Sequence, residues 1–417
     1  MKTLLPPADY AQYVAQWERV AAQGYRQFNV DTFAAGRRYL SLTTVCLARA
    51  EADQLRELTR QFGPLLDRAV AGILADGDWW ASLAWPWAAI EFARQEPRHP
   101  PARASLYGRF DCLLDRSGTW QVIEYNGDTP SGGREASGLE PAIARLHPGL
   151  HRLAPPLDKR LAQALMQRIG EHPRKVRLVG VISTHRWLED TAQAVWLARM
   201  LRTCGQPTLM GDVNDLAVQR GRITLRGRPI DALYRFYPVE RLYRHAIFAS
   251  LCEAALDGRL LLLNGLRGFL AQSKACLAWL WANRFLLSPE ERAAVQRHLP
   301  CTLLASDPAA EALLRDGVVK HVNGREGDSV AFGRGLDQAA WDARLLEGGY
   351  VVQRAVESVE VSDVEVDDFA RSVRRVDGRC ACVGAFTIGG DFAGCYTRLD
   401  GPITSARATY AATLYAP

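Results

Sequence analysis

Two runs of alternating polar and apolar residues, joined by a polar turn, constrain the fold of this chain more than any other feature. Residues 107–130 read YGRFDCLLDRSGTWQVIEYNGDTP. Alternation places Arg109, Asp111 and Leu113 on one face of a first strand, and Val122, Glu124 and Asn126 on one face of a second. If the four residues RSGT close the turn, the sequence predicts a β-hairpin with Asp111 opposite Glu124 and Arg109 opposite Asn126.

The predicted hairpin has the side chains of a metal site. Two carboxylates that face each other across a strand pair repel and destabilise it. A divalent cation between Asp111 and Glu124 removes this conflict, and Asn126 adds a neutral oxygen ligand. Such oxygen ligands, with room for phosphate and water, suit Mg²⁺ better than zinc. Arg109 beside the metal suits a transferring phosphoryl group. The alternative is an edge hairpin whose charged face is solvated, and a register slip of one residue would separate the side chains.

A lysine-bearing strand followed by a glycine-punctuated loop forms a second constellation. Residues 317–333 read GVVKHVNGREGDSVAFG, with Lys320 on the predicted strand. Glycines let the backbone approach phosphate oxygens, and successive N–H groups can form an anion nest. The segment is not a P-loop, because no GK[ST] follows the glycines. An ordinary hairpin loop of the same composition is the alternative.

Three more segments carry polar groups that suit a nucleotide site. Lys274 stands in a mostly apolar predicted helix, Phe269–Leu280, where its alternative role is to extend along the helix surface to water. Gln353 ends an apolar strand whose edge suits an adenine ring, although a solitary strand of this kind is usually core. The run FTIGG at 386–390 and the later Arg398 complete the set.

Taken in order along the chain, these motifs resemble the glutathionylspermidine synthase family, whose elements are R-x-D, E-x-N, a helix lysine, a strand lysine before G-R-x-G, and a late FT-[VI]-GG followed by arginine. The likeness spans roughly residues 105–410. The matching segments are Arg109-Phe110-Asp111, Glu124-Tyr125-Asn126, Lys274, Lys320 with Gly324-Arg325-Glu326-Gly327, and Phe386–Gly390 with Arg398.

The resemblance implies an ATP-grasp fold of mixed α+β and α/β type, in which the metal-ligand hairpin precedes the glycine-rich lid in the chain. It implies ATP and Mg²⁺ as cofactors, formation of an acyl phosphate from a small carboxylate such as an amino acid or peptide, and attack by an amine. By the resemblance, Asp111, Glu124 and Asn126 hold the metal, Lys274, Lys320, Gln353, Gly324, Arg325, Glu326 and Gly327 contact ATP, and Arg109, Arg398 and Arg407 reach the phosphoryl group or the acyl phosphate.

The substrate residues are defined less sharply. Ser131 and Glu135 fit the family, although two glycines between them replace a bulkier stretch of the glutathione-using members. Glu189 and Asp190 open a predicted helix, where acidic residues complement the helix dipole. Strand-to-helix junctions also bind ligands, and the family carries acidic residues after the equivalent strand, so the resemblance implies an amine contact at this pair.

Helical periodicity, an α/β pattern and a late β-rich texture divide the chain. We expect a helical N-terminal region at 1–104 and the hairpin with part of the ATP-grasp core at 105–160. A small α/β substrate subdomain follows at 161–262, and the lid and nucleotide-binding core at 263–417. No Cys/His hydrolase pattern occurs in the first hundred residues, so no amidase domain is predicted.

Composition excludes several other classes. The formal charge is +5 over 417 residues, with no Lys/Arg run and no apolar stretch of membrane-spanning length, so neither a nucleic-acid partner nor a membrane is expected. The nine cysteines contain no CxxC pair, which argues against zinc and for a cytoplasmic protein with free thiols. A homodimer stays open. The rival to a ligase is a nucleotide-binding regulatory protein of the same fold.

Overall fold

The structure is a computed structural model that describes residues 1–28, 32–34, 36–96, 103–184, 186–325, 327 and 329–417. Its helices are α1 Tyr10–Phe28, α2 Arg49–Ala75, α3 Gly77–Trp80, α4 Trp87–Gln95, α5 Gly133–Ala144, α6 Leu157–Gly170, α7 Leu188–Thr203, α8 Val239–Leu242, α9 Ile247–Leu256, α10 Leu266–Gln272, α11 Lys274–Ala282, α12 Pro289–His298, α13 Ala310–Leu314 and α14 Gln338–Glu347. None of these described helices is both long and apolar enough to cross a membrane.

The strands are β1 Lys2–Leu4, β2 Phe33–Ala34, β3 Arg37–Arg38, β4 Leu40–Leu47, β5 Tyr107–Leu114, β6 Trp120–Asn126, β7 His151–Arg152, β8 Val179–Ser183, β9 Thr208–Asp212, β10 Leu216–Gln219, β11 Arg222–Leu225, β12 Arg228–Pro229, β13 Ala232–Arg235, β14 Leu261–Leu262, β15 Thr302–Leu304, β16 Gly317–His321, β17 Ala331–Phe332, β18 Tyr350–Arg354, β19 Glu360–Asp367, β20 Ser372–Ile388, β21 Asp391–Asp400 and β22 Thr409–Tyr415.

The largest sheet runs in the order β1-β4-β22-β21-β20-β5-β6, with β19 also paired to β20 and β7 to β22. Its pairs are antiparallel apart from β4 with β22. The hairpin β5–β6 therefore forms one edge of this sheet and is held in place by β20. Strands of the N-terminal region, the hairpin and the C-terminal part share this one sheet. The predicted segment boundaries stay predictions.

The hairpin is two-sided, but the alternation prediction is wrong for Val122, which lies on the face opposite to Glu124 because the extra residue Ile123 is inserted between them. Phe110, Trp120 and Val122 face the core and are fully or almost fully buried. The ring of Phe110 packs edge-on against Phe62 of α2, with ring centroids 6.3 Å apart, and Nε1 of Trp120 donates to the Glu51 carbonyl at 2.8 Å. These contacts fix one face of the hairpin, so its charged face is left to line a cleft.

The predicted register is confirmed, but the turn differs. Asp111 pairs with Glu124 and Arg109 with Asn126. The loop spans the five residues 115–119, one more than expected, because the Asp115 carboxylate accepts the N–H groups of Ser117 and Thr119 at 2.9 Å and stabilises a wider turn. A β-bulge next to Asp111 restores the register.

The bulge leaves Ile123 without a partner on β5. Val122 pairs with Cys112 and Glu124 pairs with Asp111, so Ile123 is the extra residue of β6. Its carbonyl oxygen is consequently available to a side chain outside the sheet. Without the bulge, the longer turn would place Asp111 opposite Ile123 and move Glu124 to a different partner.

The helical prediction for the N-terminal region is right for α1, α2 and α4 but wrong for residues 40–47. These residues read LSLTTVCL and form β4, a fully buried strand of the large sheet. A strand covered on both faces has no polar alternation, and a short apolar run does not distinguish strand from helix by periodicity. The β-branched residues Thr43, Thr44 and Val45 were the available signal.

The small α/β unit forms as predicted. Its four-stranded sheet has the order β14-β13-β8-β9, and all its pairs are parallel. Helix α7 crosses from β8 to β9, and Glu189 and Asp190 lie in its first turn, as predicted. The first turn of α7 follows the carboxyl end of β8. In this turn, Glu189 and Asp190 line the same cleft as the charged face of the hairpin.

A second four-stranded sheet, β15-β18-β16-β17, is antiparallel throughout and has a small core of its own that includes Val319, Trp341 and Val352. The single helix predicted over Phe269–Leu280 is two helices, α10 and α11. They separate at Ser273, whose backbone is extended and whose hydroxyl caps α11. Lys274 is therefore the first residue of α11 rather than a residue on the side of a continuous helix.

A buried ion pair joins the hairpin to the small α/β unit. Asp128 is fully buried, and one carboxylate oxygen pairs with Arg235 of β13. Its other oxygen accepts from the Arg325 guanidinium at 3.1 Å and from the Val239 N–H at 3.3 Å. The Asp128 N–H donates to Oε1 of Gln272 at 3.2 Å. One side chain thus connects the hairpin, the small α/β unit and the glycine loop.

We predict that Arg235→Met lowers the free energy of unfolding by about 3–5 kcal/mol, because it leaves the Asp128 carboxylate buried and partly unpaired. Urea unfolding of the full chain measures the change. Arg60→Met is the control, since its ion pair with Glu57 is exposed and should leave stability nearly unchanged. Equal stability losses in both variants would contradict a structural role for the buried pair.

Candidate active site

The charged face of the hairpin, the second sheet and the first turn of α7 enclose a cleft of about 1760 Å³. Almost all residues singled out in the sequence line it, namely Arg109, Asp111, Glu124, Asn126, Ser131, Glu135, Glu189, Asp190, Lys274, Lys320, Gly324, Arg325, Gly327, Gln353 and Arg398. Arg407 is exposed and is not among the described residues that line the cleft. Glu326 lies outside the described residues.

Asp111 is enclosed by cations. Arg109 binds it in a bidentate manner, with Nε 2.6 Å from Oδ1 and Nη2 3.0 Å from Oδ2. Nη2 of Arg398 donates to Oδ2 at 2.8 Å, and Nδ2 of Asn126 lies 3.3 Å from the same oxygen. Burial raises the pKa of Asp111, but the two guanidinium groups outweigh it and hold the pKa below its ordinary value.

Glu124 has a cation of its own. Nζ of Lys274 donates to Oε1 of Glu124 at 3.1 Å and to the Gly324 carbonyl at 2.9 Å. The Lys274 N–H also donates to the Val322 carbonyl at 2.9 Å. The two opposed carboxylates are therefore each neutralised by side chains, so the repulsion argued from the sequence is relieved in part without a metal.

Lys320 uses the carbonyl that the bulge sets free. Its Nζ donates to the Ile123 oxygen at 3.2 Å and to Oε1 of Gln353 at 2.7 Å. Burial lowers the pKa of Lys320 to about 8, although the nearby Glu124 carboxylate opposes this shift. An anion in the cleft would favour the protonated ammonium, which has only neutral oxygens as hydrogen-bond acceptors here.

The glycine loop reaches across the cleft to the small α/β unit. Nε of Arg325 lies 2.5 Å from Oε1 of Glu240, and its Nη1 donates to Oγ1 of Thr129 at 3.1 Å. Gly327 follows with a φ of +73°, and a Cβ at this position would clash with the Thr404 carbonyl. Both the left-handed backbone and the close approach require glycine at 327.

Tyr39, Tyr396 and Glu135 line one end of the cleft. The Tyr39 hydroxyl lies 2.7 Å from that of Tyr396 and donates to Oε1 of Glu135 at 3.4 Å. The Arg109 guanidinium lies over the Tyr396 ring at 5.1 Å from its centroid and donates to the Ser131 carbonyl at 2.7 Å. This end therefore adjoins the Asp111 cluster.

Sequence reasoning missed both tyrosines and Glu240. Tyr396 precedes Arg398 by two residues on β21, so alternation along that strand could have placed it on the same face. Gly132 is explained by the same ring, because a Cβ there would clash with Tyr396, and its φ is +90°. Tyr39 and Glu240 lie in segments without a motif, and their positions depend on tertiary packing alone.

The hairpin residues fit a hard divalent cation. Two carboxylates and one amide oxygen donor meet on one face, and Mg²⁺ commonly takes one or two carboxylates while phosphate and water supply its other ligands. Within the described part of the chain, no group of three or more His, Cys, Asp or Glu side chains is arranged to hold a metal. The site therefore suits a cation that arrives with phosphate rather than one held by protein ligands alone.

We predict that Asp111→Ala lowers the Tm more than Glu124→Ala. Asp111 is buried and pairs with two arginines, so its loss leaves two guanidinium groups without their carboxylate. Glu124 is less buried and pairs with one lysine. Thermal unfolding by circular dichroism, without added nucleotide, measures both. A larger loss of stability in Glu124→Ala would contradict the pairing described.

Comparison with known proteins gives one family match and several structural neighbours. The model of the family described as glutathionylspermidine synthase preATP-grasp matches residues 10–415. A glutathione synthetase-like effector from Globodera pallida, solved in its apo form, shares the fold with a TM-score of 0.63 and 10% identity, over 97% of this chain and 96% of that chain.

A protein from Methylobacillus flagellatus KT described as a gamma-glutamylcysteine synthetase aligns over 85% of this chain and 84% of its own, at 11% identity and a TM-score of 0.45, too low to add to the fold assignment. The search of curated proteins gives no match. The predicted ATP-grasp fold is confirmed, and the family match supports an ATP-grasp-type amide ligase in general terms. The chain belongs to the glutathionylspermidine synthase preATP-grasp family.

Proposed function

We propose that this protein is an ATP-dependent carboxylate–amine ligase that forms an amide through an acyl phosphate. The observation that carries the proposal is the charge arrangement at the hairpin. Asp111 and Glu124 lie opposite each other in one cleft, surrounded by Arg109, Arg398 and the nearby Lys274. Phosphoryl transfer depends on this kind of positioning and charge neutralisation rather than on a covalent enzyme intermediate.

The proposed nucleotide site lies at the second sheet. We assign Lys274 and Lys320 to the ATP phosphates, because their ammonium groups face the hairpin carboxylates across the cleft. Gln353, at the end of β18, is the proposed contact of the adenine ring. Asp111, Glu124 and Asn126 would hold Mg²⁺. Bound Mg²⁺ would neutralise phosphate charge, which the protein side chains do only in part.

The chemistry then follows in two balanced steps. A carboxylate oxygen of the acid attacks the γ-phosphorus, and the bond to ADP breaks, with Arg109 and Arg398 contacting the transferring group. The amine nitrogen next attacks the acyl carbon, and inorganic phosphate leaves with the bonding electron pair. We keep Arg407 as a further contact of the acyl phosphate, to be reached by movement of the segment before β22.

The glycine loop is proposed as the lid over ATP, with Gly324, Arg325, Glu326 and Gly327 as its contacts. Arg325 holds this loop against Glu240 by the ion pair described above. A loop with glycines at both ends can open and close over a nucleotide. Small-molecule acid and amine substrates enter from the opposite end of the cleft, near Ser131.

We predict that Asp111→Asn and Glu124→Gln each reduce ADP release by roughly 100-fold or more, because charge stabilisation at the phosphoryl group is lost. ADP and phosphate are measured at saturating Mg²⁺ across a panel of amino acids and small peptides with amines. Glu357→Gln is the matched control, since Glu357 lies in the rim of the same cleft and is highly exposed.

Wild-type activity in either hairpin variant would rule out the metal assignment. A nucleotide-binding regulatory protein of the same fold would bind ATP in equilibrium dialysis but release no ADP with any acid and amine pair. That outcome would replace the ligase with the rival function.

A second prediction concerns the lid. Trypsin cleavage after Arg325 should be slowed by a Mg²⁺-bound non-hydrolysable ATP analogue, because the lid then has contacts on both sides. Glu240→Gln should speed this cleavage without nucleotide. Cleavage after Arg371, in the exposed turn between β19 and β20, is the internal control and should not respond. Equal rates at Arg325 with and without the analogue would contradict a lid.

A third prediction concerns the amine. Glu189→Gln or Asp190→Asn should raise the amine KM or lower kcat while leaving the ATP KM unchanged, because both carboxylates line the substrate end of the cleft. Steady-state kinetics with varied amine and saturating ATP tests it. If both variants keep wild-type amine kinetics, the pair serves only the dipole of α7.

A further inference from the structure

Glu135 has an unusual environment for a carboxylate. The residue is only 2% exposed and belongs to the first turn of α5, yet its Oε2 atom has no hydrogen-bond partner among the described residues. Buried polar atoms in folded proteins nearly always have a partner. Glu135 also lines the cleft. A proton donor is therefore missing from this position, and the residue lies at the wall of the cleft.

Neutral hydroxyl groups surround this carboxylate. The Tyr39 hydroxyl donates to Oε1, the oxygen opposite the unpartnered one, and is itself paired with Tyr396. Burial raises the pKa of both Tyr39 and Tyr396, so both hydroxyls keep their protons at neutral pH. The Tyr39 hydroxyl therefore bonds Oε1, and neither tyrosine donates a hydrogen bond to Oε2.

Several charged or titratable groups lie around Glu135 on the neighbouring elements. They are Arg134 on α5, Tyr39 before β4, Tyr107 and Arg109 on β5, Glu189 on α7, Tyr396 on β21 and Tyr410 on β22.

The position of Glu135 relates it to the phosphoryl end of the cleft. Ser131, four residues earlier, accepts from Arg109, and the Arg109 guanidinium lies over the ring of Tyr396. Tyr396 in turn reaches the Glu135 cluster through Tyr39. An amine attacking an acyl phosphate beside Arg109 would therefore arrive next to Glu135.

We propose that Glu135 is the general base of amide formation, a role that rests on the proposed ligase function. A primary amine enters as an ammonium group, and the Glu135 carboxylate takes one proton from it. The free amine nitrogen then attacks the acyl carbon, the bond to phosphate breaks, and the departing phosphate takes the second proton. The substrate class at this end of the cleft is a primary amine that is protonated at neutral pH.

The test compares two nucleophiles that differ in protonation. Hydroxylamine is mostly unprotonated at neutral pH and traps acyl phosphates as hydroxamates, so it has no need of a base. Glu135→Gln should lower amide formation with the amine panel of glycine, ethanolamine, putrescine and spermidine by roughly 100-fold. Hydroxamate formation from the same carboxylates, and ADP release with it, should be unchanged.

The pH profile gives a second readout. In Glu135→Gln the residual amide rate should rise steadily with pH, as the free amine increases, while the wild-type rate levels off. Glu140→Gln is the control, because Glu140 is also buried on α5 but pairs with Arg152 and does not line the cleft. If Glu140→Gln changes activity, it should change hydroxamate formation and amide formation by the same factor.

Two results would overturn the proposal. One is an equal loss of hydroxamate and amide in Glu135→Gln, which would assign Glu135 a structural role. The other is wild-type amide formation with an unchanged pH profile. Failure of the ligase itself is distinguishable from both, since the wild-type protein would then form no hydroxamate with any carboxylate.

Discussion

The β-bulge at Ile123 is the constraint on which the rest of the site depends. It offsets a turn that is one residue longer than the pattern suggests, and so returns Asp111 to its place opposite Glu124. The same bulge leaves the Ile123 carbonyl for Lys320, which ties the second sheet to the hairpin. A bulge costs one ladder pairing, and here the lost pairing is replaced by a contact between the two sides of the cleft.

The charged side chains around the bulge are arranged in a way that suits a bound polyanion. Asp111 is shared by Arg109 and Arg398, and Glu124 is held by Lys274, while among the described residues Lys320 donates to neutral acceptors. Positive charge therefore exceeds negative charge, and burial lowers the pKa of Lys320 to about 8. A phosphate in the cleft would reverse that shift, because an adjacent negative charge stabilises the ammonium. The site is thus electrostatically incomplete until an anion enters.

Much of this arrangement could be predicted from the sequence, where a local pattern determines it. Alternation predicts the faces of β5 and, from Glu124 onward, the face of β6, whereas Val122 lies on the other face because of the bulge. The misses have a common cause. Strand β4 is covered on both faces, and the break at Ser273 depends on the Val322 carbonyl, which lies far away in the chain. Contacts between distant segments leave no periodic signal.

Asp128 shows how the separate units act as one site. It follows β6 by two residues and is fully buried, and it is bound by Arg235 from the small α/β unit and by Arg325 from the glycine loop. A buried carboxylate with two arginine partners is stable only while both remain close. If the loop moves in catalysis as proposed, Asp128 loses its contact with Arg325 and keeps its contact with Arg235. Loop position and the geometry of the substrate end are in this way connected through a single charge.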